Sequence, residues 1–436
     1  MRIQTCLASF ALAVLASAPD LAAQNLVITN ARIIDGAGHV MQRGSVVVRD
    51  GRVASVGEGS ANAAAGASMI DAHGMTVMPG FIDDHRHVIA DQFPPPNPAE
   101  WMKQQAAPRM QEFLDAGFTT VQSCGDPVPE IVQLQRRINS GELRGPRLYT
   151  AAFVQLSAPP PGVTPGPLKV DPARIDTSRN RPTKPAPAIP DEQARAAVRQ
   201  LKQAGIDDVK AVLVVTPGGP EKHTLSVVVD EARKQGMPVI THAVSVGDLF
   251  AAIEAGTTIL AHTPHMGRLD QTSARKVAAS RIPMMSTLGV FIPTFAEENE
   301  RIRKRTGLDA KARFRDLDPF PWETIESGGQ GPVNARLLWE AGVTYGYGTD
   351  TTFLPKDSLA HELRALRLVF SNSEVVRILT GNAAAVIGHQ KDLGTLEPGK
   401  QADLVMVDGD PLTDINDLLK VRIVVRSGKI VADHRK

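Results

Sequence analysis

Cysteine is almost absent from this 436-residue chain, which contains two. Cys6 lies in an N-terminal segment with the composition of a leader, so a processed chain would keep Cys124 alone and could not form an internal disulfide. Cys124 stands at the end of a predicted strand, where a buried and inert thiol is expected rather than a nucleophile. Stability is therefore expected from core burial and not from disulfides.

An excess of one charge sign is also missing. The chain has 48 Lys and Arg against 47 Asp and Glu, a net charge of +1, with 42% hydrophobic and 22% charged residues. This balance is typical of a soluble globular protein, and it predicts neither nucleic acid nor an anionic membrane as a partner.

A membrane-spanning helix needs about 20 consecutive apolar residues, and no apolar run of the sequence is that long. At the N-terminus one Arg precedes an apolar run that ends near Ala18 and is broken by Pro19, and small residues follow. This layout predicts a secretory signal peptide over residues 1–23, and hence an exported protein that is periplasmic or secreted.

Both ends of the chain are rich in predicted β-structure. LVITNARIIDG and GSVVVRDGRVASVGEG near the start, and ADLVMVDGDP and VRIVVRSGKIVA near the end, alternate apolar and polar residues between Gly and Asp turns. Such alternation is typical of short antiparallel strands.

The middle of the chain alternates short apolar strands with helical patterns. Eight strands precede or follow helical segments, from VMPGFIDDH through TTVQSC, PRLYTAAFV, DVKAVLVV, PVITHA, TILAHT and PMMSTL to TYGYGTD. Eight strands with crossovers predict an α/β fold, a parallel (β/α)8 barrel of the TIM type. An open doubly wound sheet is the alternative, but no Gly-rich phosphate turn follows the first strand.

Two connections are longer than usual, residues 155–190 and 291–332. Both would emerge at the carboxyl end of the barrel strands, where active sites of this fold are built. Each is interpreted either as a lid or as an irregular solvated insertion.

Ligand-type residues end several of the barrel strands. His85 and His87 are two positions apart on the first strand, so that both side chains point the same way. Four further candidates fall at the same end of later strands: Lys210, His242, His262 and Asp350. Because these strand ends meet at one rim, the sequence predicts a metal site there.

Lys210 requires a separate argument, because an ammonium group cannot coordinate a cation. Burial in the apolar run VKAVLVV would lower its pKa, and a neutral amine can react with carbon dioxide to give a carbamate that bridges two cations. Imidazole and carboxylate ligands suit zinc best, with manganese, cobalt or iron as alternatives. The expected cofactors are thus two divalent ions, Zn²⁺ first, with carboxylated Lys210 between them.

Several longer segments resemble the amidohydrolase superfamily, particularly its imidazolonepropionase-like and Xaa-Pro dipeptidase-like branch. They are VMPGFIDDHRH, LDAGFTTVQSCGD, GPRLYTAA, GMPVITHAVSVGDLFAAIEAGTTILAH, GTD and LGTLEPGKQADLVMVDGDPLTDI. The resemblance covers nearly the whole chain after the leader.

The resemblance implies a small β-sandwich built from both chain ends, residues 24–78 and 386–436, beside a hydrolase barrel over residues 79–385. It also implies that His85, His87 and Asp350 hold one metal ion, that His242 and His262 hold a second, and that carboxylated Lys210 bridges the two.

The predicted function is metal-dependent hydrolysis of an amide or peptide C–N bond in a small molecule, such as a dipeptide or an N-acyl amino acid. Two cations would lower the pKa of a bridging water, and Asp350 would move its proton to the leaving nitrogen. Candidate substrate contacts are His265, His223 and Arg86. Since relatives are often oligomers, a homo-oligomer remains open.

Other reactions and roles are left open at this stage. The same attack would cleave a lactone, a carbamate or a cyclic amide, and a one-metal deaminase could use the same barrel. A solute-binding or metal-binding protein without catalysis is the alternative outside the enzymes.

Overall fold

The structure is a computed structural model that describes residues 25–59, 66–89, 97–158, 184–292 and 325–435, with side chains in the last range from residue 329. The predicted signal peptide lies outside the described residues, as do residues 159–183 and 293–324 of the two long connections. Within the described ranges, no helix is both long and apolar enough to cross a membrane.

One sheet is formed by strands from both chain ends. Its members are β1 (Leu26–Ile34), β2 (Val40–Arg49), β3 (Arg52–Glu58), β4 (Ser68–Asp71), β5 (Thr76–Pro79), β14 (Leu404–Val407), β15 (Val421–Arg426) and β16 (Lys429–Asp433). The strand order is β16-β15-β14-β5-β1-β2-β3, and β4 pairs with β1. Antiparallel pairing of β5 with β14 joins the N-terminal and C-terminal portions into one unit.

The sheet buries an apolar face of its own. Leu26, Ile28, Leu404 and Met406 belong to one cluster of fully buried side chains. In β14 the alternate residues Val405 and Val407 instead join the large core of the barrel. Alternate side chains of β14 are thus buried on opposite faces of the sheet, one face in its own cluster and the other against the barrel.

The second sheet is the predicted parallel barrel. Its strands are β6 (Phe81–Arg86), β7 (Phe118–Cys124), β8 (Arg147–Val154), β9 (Asp208–Val212), β10 (Val239–His242), β11 (Ile259–Ala261), β12 (Met284–Met285) and β13 (Tyr345–Gly346). Each strand pairs with its neighbours in chain order. The first and last strands are joined where the Asp84 N–H donates to the Tyr347 carbonyl at 2.7 Å. The structure therefore confirms the (β/α)8 fold.

Helices lie between and after the barrel strands. In the described ranges they are α1 (Pro98–Gln104), α2 (Ala106–Asp115), α3 (Glu130–Asn139), α4 (Asp191–Ala204), α5 (Glu221–Gln235), α6 (Val246–Glu254), α7 (Gln271–Ala279), α8 (Ile325–Ala341), α9 (Pro355–Leu366), α10 (Asn372–Arg377) and α11 (Ala383–Val386). Side-chain oxygens of Ser245 and Asp270 cap α6 and α7, which gives these short helices defined starts.

Candidate metal centre

The carboxyl ends of the barrel strands carry the candidate ligands. His85 belongs to β6 and His87 follows it, His242 ends β10, and His262 comes directly after β11. Lys210 lies within β9. Asp350 lies four residues beyond β13, with a left-handed φ of 50°. Parallel strands place all of these residues at one end of the barrel.

Asp350 lies at the centre of the cluster. Its Oδ1 is 3.2 Å from Nε2 of His85 and 3.2 Å from Nε2 of His87, and its Oδ2 is 3.7 Å from Nε2 of His262. One ligand atom from each of His85, His262 and Asp350 lies within 4.8 Å of the others, a spacing that could hold a metal ion. The carboxylate thus contacts histidines from two different sides of the site.

His242 and His262 form a second pair. Nδ1 of His242 is 2.9 Å from Nε2 of His262, and Nδ1 of His262 is 2.6 Å from the Thr287 hydroxyl. Since both rings are almost fully buried, these nitrogens face each other away from bulk solvent. The pair can supply two nitrogen ligands to one cation.

Lys210 lies beside His85 of the first group of candidate ligands. Its Nζ is 3.3 Å from Nε2 of His85, and the residue is only 2% exposed. Burial lowers the pKa of this amine, against the raising effect of Cys124 and Asp350. A lowered pKa favours the neutral amine that carboxylation requires.

Burial also keeps the histidines neutral. It lowers the pKa of His85 to about 4 and that of His242 to about 3, helped by the charge of Lys210, and it lowers the pKa of His262 as well. A neutral imidazole has a free lone pair, so these rings are in the form that binds metal ions. Although burial opposes its ionisation, the histidines hold the pKa of Asp350 well below its usual range.

Asp84 is a buried acid that precedes the candidate ligand His85 in β6. Neither of its carboxyl oxygens has a hydrogen-bond partner within the described part of the chain. Burial and the charges of Asp83 and Glu362 raise its pKa well above the usual range, which favours the neutral acid. Its carboxyl packs against the last strand, where a Cβ at Gly346 would lie 1.9 Å from Oδ2, so position 346 has room only for glycine.

Arg86 does not reach the site. It is fully buried, and its guanidinium donates to Thr349 at 3.0 Å, to Thr351 at 2.8 Å and to the Phe353 carbonyl. Because strand side chains alternate, Arg86 points away from the side on which His85 and His87 lie. It holds the segment that carries Asp350 against the first strand, and these contacts account for it without a substrate.

His223 and His265 differ in position. His223 is exposed on α5, where its Nε2 is 2.9 Å from an Asp191 carboxylate oxygen, so the structure does not bring it to the ligands. His265 is buried, and its ring stacks on Phe291 with centroids 3.9 Å apart. Phe291 also contacts His262 edge-on at 5.4 Å. Of these two residues, the structure brings His265, and not His223, beside the candidate ligands.

Sequence reasoning missed Thr287 and Glu362, as well as Phe291, in this region. Thr287, which contacts His262, follows the seventh barrel strand, and the rule that polar residues at strand ends face the site would have found it. Glu362 is buried on α9 and accepts hydrogen bonds from the segment around Thr287. A charged residue inside an apolar helix face was its only signal.

The sequence model of the amidohydrolase family matches residues 76–431. The chain belongs to the amidohydrolase family. This membership agrees with the resemblance noted in the sequence.

Individual relatives share only a small part of their residues with this chain. The chain is 25% identical over 417 residues to an ochratoxinase of Aspergillus niger, covering 88% of this chain and 81% of that protein. It is 37% identical to an imidazolonepropionase of Shouchella clausii over 109 residues, which is 23% of this chain and 24% of that relative. A solved Xaa-Pro dipeptidase with bound methionine in its active site has a TM-score of 0.71 at 22% identity, covering 93% of this chain and 99% of that one.

Divalent metal ions are general cofactors of the amidohydrolase family, and the residues present fit such a group. The cluster offers imidazole nitrogens and one carboxylate, and Nδ1 of His85 and Nε2 of His242 lack hydrogen-bond partners among the described residues. This donor set suits zinc and other first-row divalent ions.

Proposed function

We propose that this protein is a hydrolase that uses two divalent metal ions to cleave an amide or peptide C–N bond in a small molecule. The observation that carries the proposal is the position of Asp350, whose carboxylate lies 3.2 Å from His85 and His87 and 3.7 Å from His262. A single carboxylate thus meets both groups of predicted ligands.

The metal ions would be held by two sets of residues. His85, His87 and Asp350 would hold one ion, and His242 and His262 the other. Lys210 would link them after its neutral amine adds to carbon dioxide, which forms an N–C bond and releases one proton. The lowered pKa of the buried amine supports this step, because it reduces the cost of deprotonation at neutral pH.

Divalent ions bound there would supply Lewis acidity and lower the pKa of a bound water to about 7. Asp350 would accept the proton of the attacking water and donate it to the leaving nitrogen, first as a general base and then as a general acid. Its lowered pKa keeps the carboxylate ionised at neutral pH.

Support for an amide or peptide bond comes from the relatives. A structural neighbour is named a Xaa-Pro dipeptidase, and an ochratoxinase shares most of its length with this chain. His265 and Phe291 lie beside the ligands and are candidates for contact with an apolar or aromatic part of the substrate. We therefore propose dipeptides and N-acyl amino acids as the first substrates to try.

Metal content per chain is the experiment that tests this proposal, with hydrolysis of a dipeptide and N-acyl amino acid panel measured before and after chelation. We expect two ions per chain, chelator-sensitive hydrolysis, and recovery of activity when Zn²⁺ is returned. One ion per chain with release of ammonia would favour a deaminase instead. Tight metal binding without turnover on amides, lactones or carbamates would contradict an enzymatic role.

Export is a separate proposal that rests on the N-terminal segment. Comparison of the N-terminus of the protein recovered from cells with the printed sequence tests it. A chain that begins near residue 24 and is found outside the cytoplasm is expected, and an intact N-terminus would contradict it.

A further inference from the structure

The turn after β12 connects the metal ligands to a buried carboxylate on the last long barrel helix. We define this turn as residues 286–289. Its second residue, Thr287, is fully buried, and its hydroxyl oxygen lies 2.6 Å from Nδ1 of His262. Nε2 of the same ring points the other way, toward Nδ1 of His242 at 2.9 Å. Thr287 is therefore placed to determine which nitrogen of His262 carries the proton.

Thr287 adopts an unfavourable backbone conformation. Its φ of 41° lies in the left-handed region, which β-branched residues rarely adopt. Such conformations cost about 1–3 kcal/mol and persist only when neighbouring contacts impose them. The contacts that impose this one must come from outside the turn.

Glu362 of α9 supplies these contacts. Its Oε1 accepts from the Ser286 hydroxyl at 2.7 Å and from the Leu288 N–H at 2.9 Å, and its Oε2 accepts from the Gly289 N–H at 2.6 Å. One carboxyl group thus binds the residues on both sides of Thr287, and it is only 1% exposed.

The neighbouring residue of the helix adds a contact to the same turn. Nε2 of His361 lies 2.8 Å from the Gly289 carbonyl oxygen. The fit is close, since a Cβ at Gly289 would lie 2.8 Å from Oε2 of Glu362 and 2.9 Å from the His361 ring. Helix α9 and the turn are therefore held together by several hydrogen bonds and by close packing at Gly289.

We propose that Glu362 is a positioning residue that holds Thr287 against Nδ1 of His262, and so keeps Nε2 of His262 available to a metal ion shared with His242. The proposal rests on the proposed function only in requiring that the site binds a divalent ion. A neutral imidazole carries one proton, and if Nδ1 donates that proton to Thr287, the lone pair is on Nε2. Hydrogen bonds of this kind orient metal-ligating histidines and raise their basicity.

The test compares metal binding by Thr287→Val and Thr287→Ser. Valine keeps the β-branched shape and the same backbone preference but lacks the hydroxyl, whereas serine keeps the hydroxyl. Cobalt(II) is titrated into chelator-treated protein, and the affinity of each ion and the visible spectrum of bound cobalt are recorded. We expect Thr287→Val to lower the affinity for one of the two cobalt ions by about 10- to 100-fold and to change the visible spectrum. Thr287→Ser should bind both ions as the wild type does.

Glu362→Gln extends the test to the positioning residue. An amide has one acceptor oxygen in place of two, so at least one hydrogen bond to the turn is lost. The affinity for the same cobalt ion should therefore fall. Thr257→Val is the matched control, because Thr257 is another buried hydroxyl of the barrel. Its hydroxyl lies 2.6 Å from the Thr241 hydroxyl and donates to backbone carbonyls, and these hydrogen bonds involve no candidate ligand. It should leave both affinities unchanged.

The outcomes separate the two proposals. If the wild type binds no cobalt, the proposed function fails. If the wild type binds two ions and Thr287→Val binds both equally well, only the positioning role is refuted. Equal losses in the valine, serine and Thr257→Val variants would show general destabilisation and would also refute it. Circular dichroism of each variant establishes that it is folded.

Discussion

The two ends of the barrel treat their buried polar groups differently. At the amino end, next to the sheet formed by the chain termini, Arg147 donates to Asp403 at 2.5 Å and to the hydroxyls of Thr120 and Ser427, both at 3.2 Å. At the carboxyl end, Lys210 contacts an imidazole nitrogen, and Nδ1 of His85 and Nε2 of His242 have no hydrogen-bond partner in the described ranges.

Stability and function therefore depend on different ends of the barrel. The ion pair of Arg147 and Asp403 joins the barrel to the sheet of the chain ends, and removing one partner would leave a buried charge without compensation. Unsatisfied groups are costly for folding, and they are tolerated where a ligand completes them. The amino end is therefore assigned to stability and the carboxyl end to chemistry.

The largest effect is expected from Asp350→Asn at the carboxyl end. Asparagine tolerates the left-handed backbone at this position but cannot accept and donate the catalytic proton. Turnover of the metal-loaded variant should fall by about 10²- to 10⁴-fold, while unfolding by urea changes little. Steady-state kinetics and metal analysis check this, and a metal-loaded variant with wild-type turnover would remove Asp350 from the proton transfer.

The next effect is expected at the amino end, from Arg147→Met. Asp403, whose side chain is 6% exposed, would be left buried without its partner. The free energy of unfolding should fall by about 3–5 kcal/mol, with metal content per folded chain unchanged. Urea denaturation measures the first and metal analysis the second.

Arg233→Met is the matched control for this prediction. Arg233 pairs with Asp230 at the surface, where the two side chains are 69% and 57% exposed, so its loss should change stability by less than about 0.5 kcal/mol. If Arg147→Met lost metal and kept its stability, the division between the two ends would be incorrect.

A smaller, pH-dependent effect is expected for Glu362→Gln in metal-free protein. Burial raises the pKa of Glu362 to about 7, against the lowering effect of its hydrogen bonds to the turn. The folded state therefore keeps this proton at pH values where the unfolded state has lost it. The stability that this provides is present below the usual pKa of glutamate and is lost as pH rises through about 7.

Glutamine does not titrate, so Glu362→Gln should be more destabilising at pH 5 than at pH 8. The change is at most about 3 kcal/mol, at roughly 1.4 kcal/mol per pKa unit. Urea unfolding of both proteins across this range measures it. A difference that is independent of pH would mean that Glu362 has the same pKa in the folded and unfolded states.

The smallest effect is expected from His223→Gln. This ring is 65% exposed at the outside of the barrel, and its Nε2 lies 2.9 Å from a carboxylate oxygen of Asp191. The catalytic efficiency and the stability should both stay near wild type, within about 0.5 kcal/mol. A large fall in kcat/KM on the amide panel would show that His223 contacts the substrate after all.

Much of this architecture could be predicted from the sequence because it depends on local patterns. Alternation identified the terminal strands, and the regular spacing of strands and helices predicted the barrel. His85, His262 and Asp350 were chosen because they lie at strand ends, and the structure places all three in one cluster. The roles of these residues in metal binding stay predictions.

Other features depended on contacts between distant parts of the chain. The position of Arg86 in the sequence, between two ligands, suggested a substrate contact, but its partners Thr349 and Thr351 come from the other end of the barrel. Glu362 is separated from the Ser286 hydroxyl by a long stretch of chain, and no local pattern pairs them.

Local sequence patterns were sufficient to show which residues end the strands and which face of each strand they occupy, because side-chain direction follows the period of the strand. Which atoms meet depends on how the strands and helices pack. Closure of the barrel brings the last strand beside the first, so that Asp350 reaches His85, and packing of α9 places Glu362 under the turn that carries Thr287. Those contacts follow from how the whole chain packs, which a pattern confined to neighbouring residues does not encode.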